Sequence, residues 1–309
     1  MDTKNMSWGI LMLLAATLSW GGMFPIAKPA LEIIDPYYIT LIRYGIAAVL
    51  FVAILWFVEG KQAFRLNNRL LPLLSLGTLG FAGFNLLAFS GLTHSKPEHG
   101  AVIIAMMPMI TVLLSWFLKG HKPHTFTLVT IMAAFLGVFL VITSGHPQQA
   151  FAGGKLEWDL LFLSGAICWV AYTMGAERFP DWSPLRYTTI TCVLGAIAIG
   201  IITFVLTINH DIHTPTLATL GELHWTIAYL VIMGALIAVL SWNAGIKLLG
   251  PVNGVLFINF VPITAFTIGV INGRSFSHAE ILGAAIVITA LISNNLFLRY
   301  RQQMTLVKS

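Results

Sequence analysis

Two segments of this chain repeat one another: HGAVIIAMMPMIT, His99 to Thr111, and NGVLFINFVPIT, Asn253 to Thr264. Displaced by about 154 positions, Gly100 falls on Gly254 and Pro108 on Pro262. The register continues upstream, where Gly80 meets Gly234 and Gly91 meets Gly245. A nearby offset sets Trp20 on Trp169 and Lys28 on Glu177, and the dipeptide Arg43-Tyr44 recurs as Arg186-Tyr187. A duplicated hydrophobic unit, interrupted by proline at matched places, is the signature of a secondary transporter whose site lies where the two halves meet.

The chain is 57% hydrophobic and 9% charged, against roughly 45–50% and 25% for a soluble globular domain. That balance calls for lipid as the solvent, and a bilayer core needs roughly 20 apolar residues per helix. Ten such runs are present, at about 8–27, 38–58, 70–91, 99–118, 124–144, 156–176, 185–208, 224–245, 251–272 and 279–299. The connectors between them are short and polar, and none is long enough for a soluble domain. The expectation is one all-α membrane domain made of two five-helix repeats, residues 1–149 and 150–309.

Charge sets the expected orientation. With the amino terminus inside, Lys61, Arg65, Arg69, Lys119, Lys122, Arg178, Arg186, Lys247, Arg299 and Arg301 fall on the cytoplasmic side. Only Lys28, Lys96, Lys155 and Arg274 fall outside. This is the positive-inside pattern, and it places both termini in the cytoplasm and the protein in the cytoplasmic (inner) membrane. Five helices per half is odd, so the second repeat enters the membrane from the opposite side and the repeats are inverted. The net charge of +5 thus reports orientation and gives no support to nucleic-acid binding. The first span is too long for a signal-peptide core and is read as retained. Cys168 and Cys192 lie inside spans without disulfide or metal spacing, as buried small side chains do.

Pro108 and Pro262 each fall in mid-span, where proline removes one backbone hydrogen bond. Matched bends in two repeats favour a shared cavity. Asn85, Asn243 and Asn259 need hydrogen-bond partners at depth, as interhelical glue or as site residues. Trp20, Phe24, Phe89, Trp169, Tyr172 and Trp242 supply aromatic surface on the same or matching helices. An apolar cavity with a few polar groups is the usual design of a small-molecule site. These residues, with the two prolines, are the expected substrate-binding set.

All twelve acidic residues lie in connectors or at span ends. With no carboxylate at depth to take a proton or sodium ion, tight ion coupling is not expected. The nine histidines cluster at the same places and read as solvated or capping. No cofactor or metal site is legible. Arg43 is the deepest clear charge; snorkelling to the headgroups is the simplest expectation for it, and an anion contact at the outer mouth is the functional alternative. Lys28 and Arg186 complete the expected gating or mouth residues. The oligomeric state is left open, and a monomer is compatible with the sequence.

The run Trp20-Gly21-Gly22-Met23-Phe24-Pro25-Ile26-Ala27-Lys28 resembles the WGxxFxxxK run of the EamA family in the drug/metabolite transporter superfamily. Arg43 in the second span and the pattern around Pro108 and Pro262 resemble that family too, over nearly the whole chain. The chain is also similar to the aromatic amino-acid exporters of the superfamily. The resemblance implies a ten-helix inverted-repeat carrier with a central cavity, whose members mostly export amino acids or other small metabolites. One departure stands out: Gly120-His121 and Gly273-Arg274 occupy the places of the family's Gly-Glu pairs. No role of that glutamate carries over.

A carrier of drugs, organic cations or nucleobases on the same fold is the alternative within this class. An intramembrane enzyme is the rival from another class, but the chain lacks HExxH, aspartate-rich metal motifs and the GxSG of rhomboid-type proteases.

Overall fold

The computed structural model describes residues 3–120, 122–146, 148, 156–249 and 255–308. His121, Lys155, the Asn253-Gly254 half of the repeat and the seam expected at 149/150 lie outside the described residues.

Among the described residues the chain is helical, without strands. In chain order α1 spans Thr3–Ala30, α2 Pro36–Glu59 and α3 Leu70–His94. Then come α4 Pro97–Ala105, α5 Met107–Lys119 and α6 Thr125–Thr143. The second half holds α7 Leu156–Arg178, α8 Pro184–Ile208, α9 His224–Leu249, α10 Phe257–Ile271 and α11 His278–Lys308. Eight of these are long and apolar enough to cross a bilayer, and the pair α4–α5 makes a ninth as one span bent by 47°. The run expected at 251–272 is represented by the shorter α10, because its first residues lie outside the described ones. Large apolar side chains face outward, Phe117 with 87% and Phe57 with 85% exposure, which water would not tolerate over a whole surface.

The helix ends follow from local chemistry. Asp35 caps α2, its carboxylate accepting from the Tyr37 N–H, with Pro36 at the first helical position. Ser183 caps α8 in the same way, accepting from the Arg186 N–H ahead of Pro184. Each second helix of a repeat therefore starts at a capping side chain followed by proline. The mid-span prolines are accommodated by restarting the helix. α4 stops at Ala105 and α5 begins at Met107, so Pro108 sits in a first turn, where its missing N–H breaks no ladder. A 3₁₀ turn, Val255–Asn259, leads into α10 and gives way to α-helix at Phe260, and Pro262 again lies in the first turn.

Two stretches widen into π-helix, Thr78–Gly83 in α3 and Tyr229–Ile237 in α9, and each contains a glycine matched by the repeat, Gly80 and Gly234. The main packing partners cross between the halves: α1 with α9 and α10, α3 with α7, α2 with α8, and α6 with α11. Glycines permit the closest crossings. A Cβ placed on Gly137 of α6 would lie 2.7 Å from the Gly283 carbonyl of α11, so neither residue can carry a side chain without moving backbone. Cys192 is buried and Cys168 half-buried, both as free thiols.

Candidate functional site: an aromatic cavity closed at one end

A cavity of about 530 Å³ runs between the halves. Helices α1, α2, α3, α4 and α5 contribute to its wall from the first half, and α7, α8, α9 and α10 from the second. Aromatic rings dominate the lining: Trp20, Phe24, Tyr44, Phe51, Phe81, Phe84, Trp169, Tyr172, Phe179, Trp182, Tyr187 and Trp242. They hold one another in place, Trp20 against Trp242 with centroids 5.4 Å apart and Trp169 against Tyr172 at 5.2 Å. The Tyr172 and Tyr187 rings stack at 5.1 Å, and Tyr187 Oη donates to the Tyr172 carbonyl at 2.8 Å. Thr111, Thr173 and Asn243 add polar atoms. No Asp, Glu, Lys or His lines the cavity among the described residues, and Arg43 does.

Seven of the residues expected at a site share this wall: Trp20, Phe24, Pro108, Trp169, Tyr172, Trp242 and Asn243. Asn85, Phe89, Asn259 and Pro262 do not line it. Asn85 lies one step behind the wall, accepting from Arg43 Nη1 and from Tyr44 Oη, each at 3.1 Å. Phe89 is fully buried against Phe24, and Pro262 and Asn259 are buried in α10 beside the lining residues Val261 and Ile258.

Arg43 corrects the expectation of snorkelling. Its side chain is 2% exposed and turns into the protein, where Nε donates to the Leu230 carbonyl and Nη2 to the Gly234 carbonyl, both at 3.1 Å. These acceptors belong to the π-helical stretch of α9, where the wider turn lets main-chain oxygens serve a partner outside the helix. Trp20 Nε1 donates to the same Gly234 carbonyl at 3.2 Å. Helix rotation decides whether an arginine reaches lipid headgroups or a neighbour, and here the face bearing Arg43 packs on α9.

Lys28 and Arg186 stand at opposite ends of the molecule. Lys28 Nζ donates to the Leu92 and Thr93 carbonyls at 2.6 and 2.8 Å, tying α1 to the end of α3. Arg186 lies over the Trp182 ring at 4.0 Å and donates to the Arg65 carbonyl. It is outside the cavity wall, although its neighbours Trp182, Ser183, Pro184 and Tyr187 belong to it.

The end that carries Lys28 is closed by a charged network which sequence reading did not find. Arg274 Nη1 pairs with Glu98 and its Nη2 with Glu280 at 3.2 Å, and Lys96 reaches Glu280 at 3.1 Å. Ser277 N–H and Oγ donate to the second Glu280 oxygen at 2.9 and 3.0 Å. Beside it, His99 Nδ1 lies 3.1 Å from Asp159 Oδ1, and Ser95 Oγ donates to the same carboxylate oxygen. Glu98, His99, Asp159 and Glu280 are all buried. The expectation of solvated histidines therefore fails at His99, because α4 and α7 pack together over it. Cavity-lining residues reach the opposite connector, Phe179 to Pro184, and none comes from 29–36, 92–98 or 272–278. The cavity thus extends toward one end only.

Comparison with known proteins gives a consistent result. The model of the EamA-like transporter family matches residues 7–143 and again 156–296. The uncharacterized transporter YrdR of Bacillus subtilis (strain 168) is 39% identical over 295 residues, covering 94% of this chain and 92% of that protein. The uncharacterized transporter YyaM of the same organism is 29% identical, with 92% of each chain covered. A crystal structure with 21% identity superposes with a TM-score of 0.67 over 95% of this chain and 98% of the other, a likeness of fold.

Proposed function

This chain belongs to the EamA-like transporter family, and from that premise we propose that it moves small metabolites, amino acids first, across the cytoplasmic membrane by alternating access. The observation that carries this reading is the cavity: aromatic, walled by helices of both halves, and extending to the Phe179–Pro184 connector alone.

We read the architecture as ten spans in two inverted repeats, with α4–α5 and α10 as the broken fourth and ninth. The cross-half packing supports it. A two-fold axis in the membrane plane would carry the α1–α9 contact onto α7–α3, and would return α2–α8 and α6–α11 to themselves; all four contacts are present. With both termini cytoplasmic, the connector Phe179–Pro184 is inside and the network of Arg274, Glu98, Glu280 and Lys96 is outside. The conformation is then inward-facing with its outer gate shut. Each repeat supplies half of the gate, Lys96 and Glu98 from the first and Arg274 and Glu280 from the second. Opening would separate these pairs as the repeats rock.

The cavity has no carboxylate among the described residues. We therefore take transport to run down the substrate's own gradient, or by exchange, without tight coupling to protons or sodium, and export to be its direction in the cell. Purified protein in proteoliposomes tests this: counterflow of labelled amino acids above protein-free vesicles supports it. Absence of transport across a panel of amino acids, nucleobases and organic cations would remove the carrier reading. The aromatic box alone also suits an organic cation, which makes that class the second reading.

A further inference from the structure

Arg43 is the one formally charged side chain of the cavity wall among the described residues, and it has no anion. It stands seven residues into α2, about 10 Å along the axis from the closed end. A guanidinium carries five N–H donors in a rigid plane and keeps its proton in proteins. Three are engaged, by the Leu230 carbonyl, Asn85 Oδ1 and the Gly234 carbonyl, and all three acceptors are neutral. One donor on each terminal nitrogen remains. The Tyr44 and Phe89 rings lie 4.8 and 5.7 Å from the guanidinium carbon and add only their quadrupoles. A buried cation compensated by dipoles alone keeps its net charge, and at membrane depth such a charge is held either by an opposite charge or, as here, by backbone carbonyls. This chain makes the opposite-charge pairing elsewhere: Arg274, at the closed end, meets both Glu98 and Glu280. The arginine of the gate is neutralised from within, and the arginine of the cavity is not.

Resting on the carrier reading, we infer that Arg43 is the anion subsite of the cavity. It receives the carboxylate of a small monoanionic or zwitterionic substrate whose apolar body lies against Trp20, Trp242 and Trp169. The two terminal N–H donors left over equal in number the paired oxygens of a carboxylate. One cation neutralises one charge, so dianions are poorly accommodated. Compounds whose only charge is positive meet a like charge with no carboxylate in the wall to offset it, so Arg43 disfavours the organic cations that the aromatic box alone would suit.

The test compares matched probes in proteoliposomes, with protein-free vesicles subtracted: phenylalanine, phenylalaninamide, phenethylamine and 3-phenylpropionate, and leucine with leucinamide. Wild-type protein should move the carboxylates at least about tenfold faster than the amides and the amine. The loss of one charge-assisted hydrogen-bond pair predicts that Arg43→Gln lowers carboxylate transport about ten- to hundredfold and abolishes discrimination within each pair. Arg43→Lys should retain part of both. Amides moving as fast as acids in the wild type would overturn the inference and leave the carrier reading standing. An equal fall for both members of each pair in Arg43→Gln would make the arginine structural and also overturn it. If wild-type protein moves none of the probes, the carrier reading for amino acids falls and the inference falls with it. Should Arg43→Gln fail to fold, the wild-type comparison decides alone, since it needs no substitution.

Discussion

Asn85 Oδ1 lies 3.1 Å from Arg43 Nη1, and the same oxygen takes the Tyr44 hydroxyl at 3.1 Å. The other end of the amide donates to the Phe81 carbonyl at 3.0 Å, which fixes its orientation. One buried asparagine thus holds the cation and a cavity-lining tyrosine in place. Asn85→Ala would orphan two buried donors, each costing about 1–3 kcal/mol, and should lower both the melting temperature in detergent and transport. Asn85→Asp supplies Arg43 with an internal anion but gives up the donation to the Phe81 carbonyl. Carboxylate transport by that variant is expected to fall at temperatures where it is still folded, as counterflow and thermal unfolding on one preparation would show. Full transport by Asn85→Asp would mean that the charge on Arg43 does not matter.

What the sequence made legible, and what it hid, divides along physical lines. Trp20 with Trp169 and Pro108 with Pro262 were found by duplication, which needs no knowledge of packing. Trp20, Trp169 and Pro108 share the cavity wall, while Pro262 packs one residue behind it. Asn85 and Phe89 are on the expected helix but turned away from the cavity, because inward and backward faces of a buried span are equally apolar. Burial of Arg43 was hidden for a similar reason. A snorkelling arginine and one docked on π-helical carbonyls look alike until the neighbouring helix is placed. The charged network at the closed end was hidden by distance in sequence: Glu98 and Arg274 are ordinary span-end charges until the fold joins residues 176 apart. Arg274 also explains what stands at one of the departures from the family's Gly-Glu pairs. There it provides the cation to which Glu98 and Glu280 answer.

The charged network at the closed end predicts a non-additive pair. Glu98 is 3% exposed, so Arg274→Gln leaves a buried carboxylate without its main partner, at about 3–5 kcal/mol. Glu98→Gln alone leaves Arg274 with Glu280 and should cost less. The double variant should recover much of the loss, since both charges are then gone. Melting temperatures of the four proteins in detergent complete the cycle. Additive losses would show that the Glu98–Arg274 pair is not coupled.

Glycine positions give a sharper packing test. Gly137→Ala would place a Cβ 2.7 Å from the Gly283 carbonyl and 2.7 Å from a Val287 methyl, so α6 and α11 must part. A loss of about 1–3 kcal/mol is expected. Gly45→Ala meets nothing within 4 Å and should be neutral or slightly stabilising, because alanine favours helix by about 1 kcal/mol. Equal behaviour of the two variants in thermal unfolding would place the helices differently.

Orientation is tested by reporter fusions. The connector from Lys61 to Arg69 should read cytoplasmic, and the one from Asn209 to Glu222 external, since the first carries three cations and the second none. Opposite signals at either place would overturn the inward-facing assignment, and the cavity would then open to the outside.

The energetics follow from where the carboxylates are. Coupling to a proton or sodium needs an ion site that exchanges with the substrate site, and the cavity wall among the described residues has no Asp, Glu or His. The buried His99–Asp159 pair lies at the closed end, tied to Ser95 and away from the wall. Uptake into proteoliposomes should therefore proceed without an ion gradient. An imposed pH step should change its rate but leave its final level unchanged. The measurement is the plateau of labelled substrate with and without the step, at equal substrate inside and outside. A plateau raised above equilibrium by the step would establish proton coupling and overturn the uncoupled reading. His99→Gln would then locate it: collapse of the plateau in that variant assigns the coupling proton to the His99–Asp159 pair, whereas a plateau that persists places the proton elsewhere.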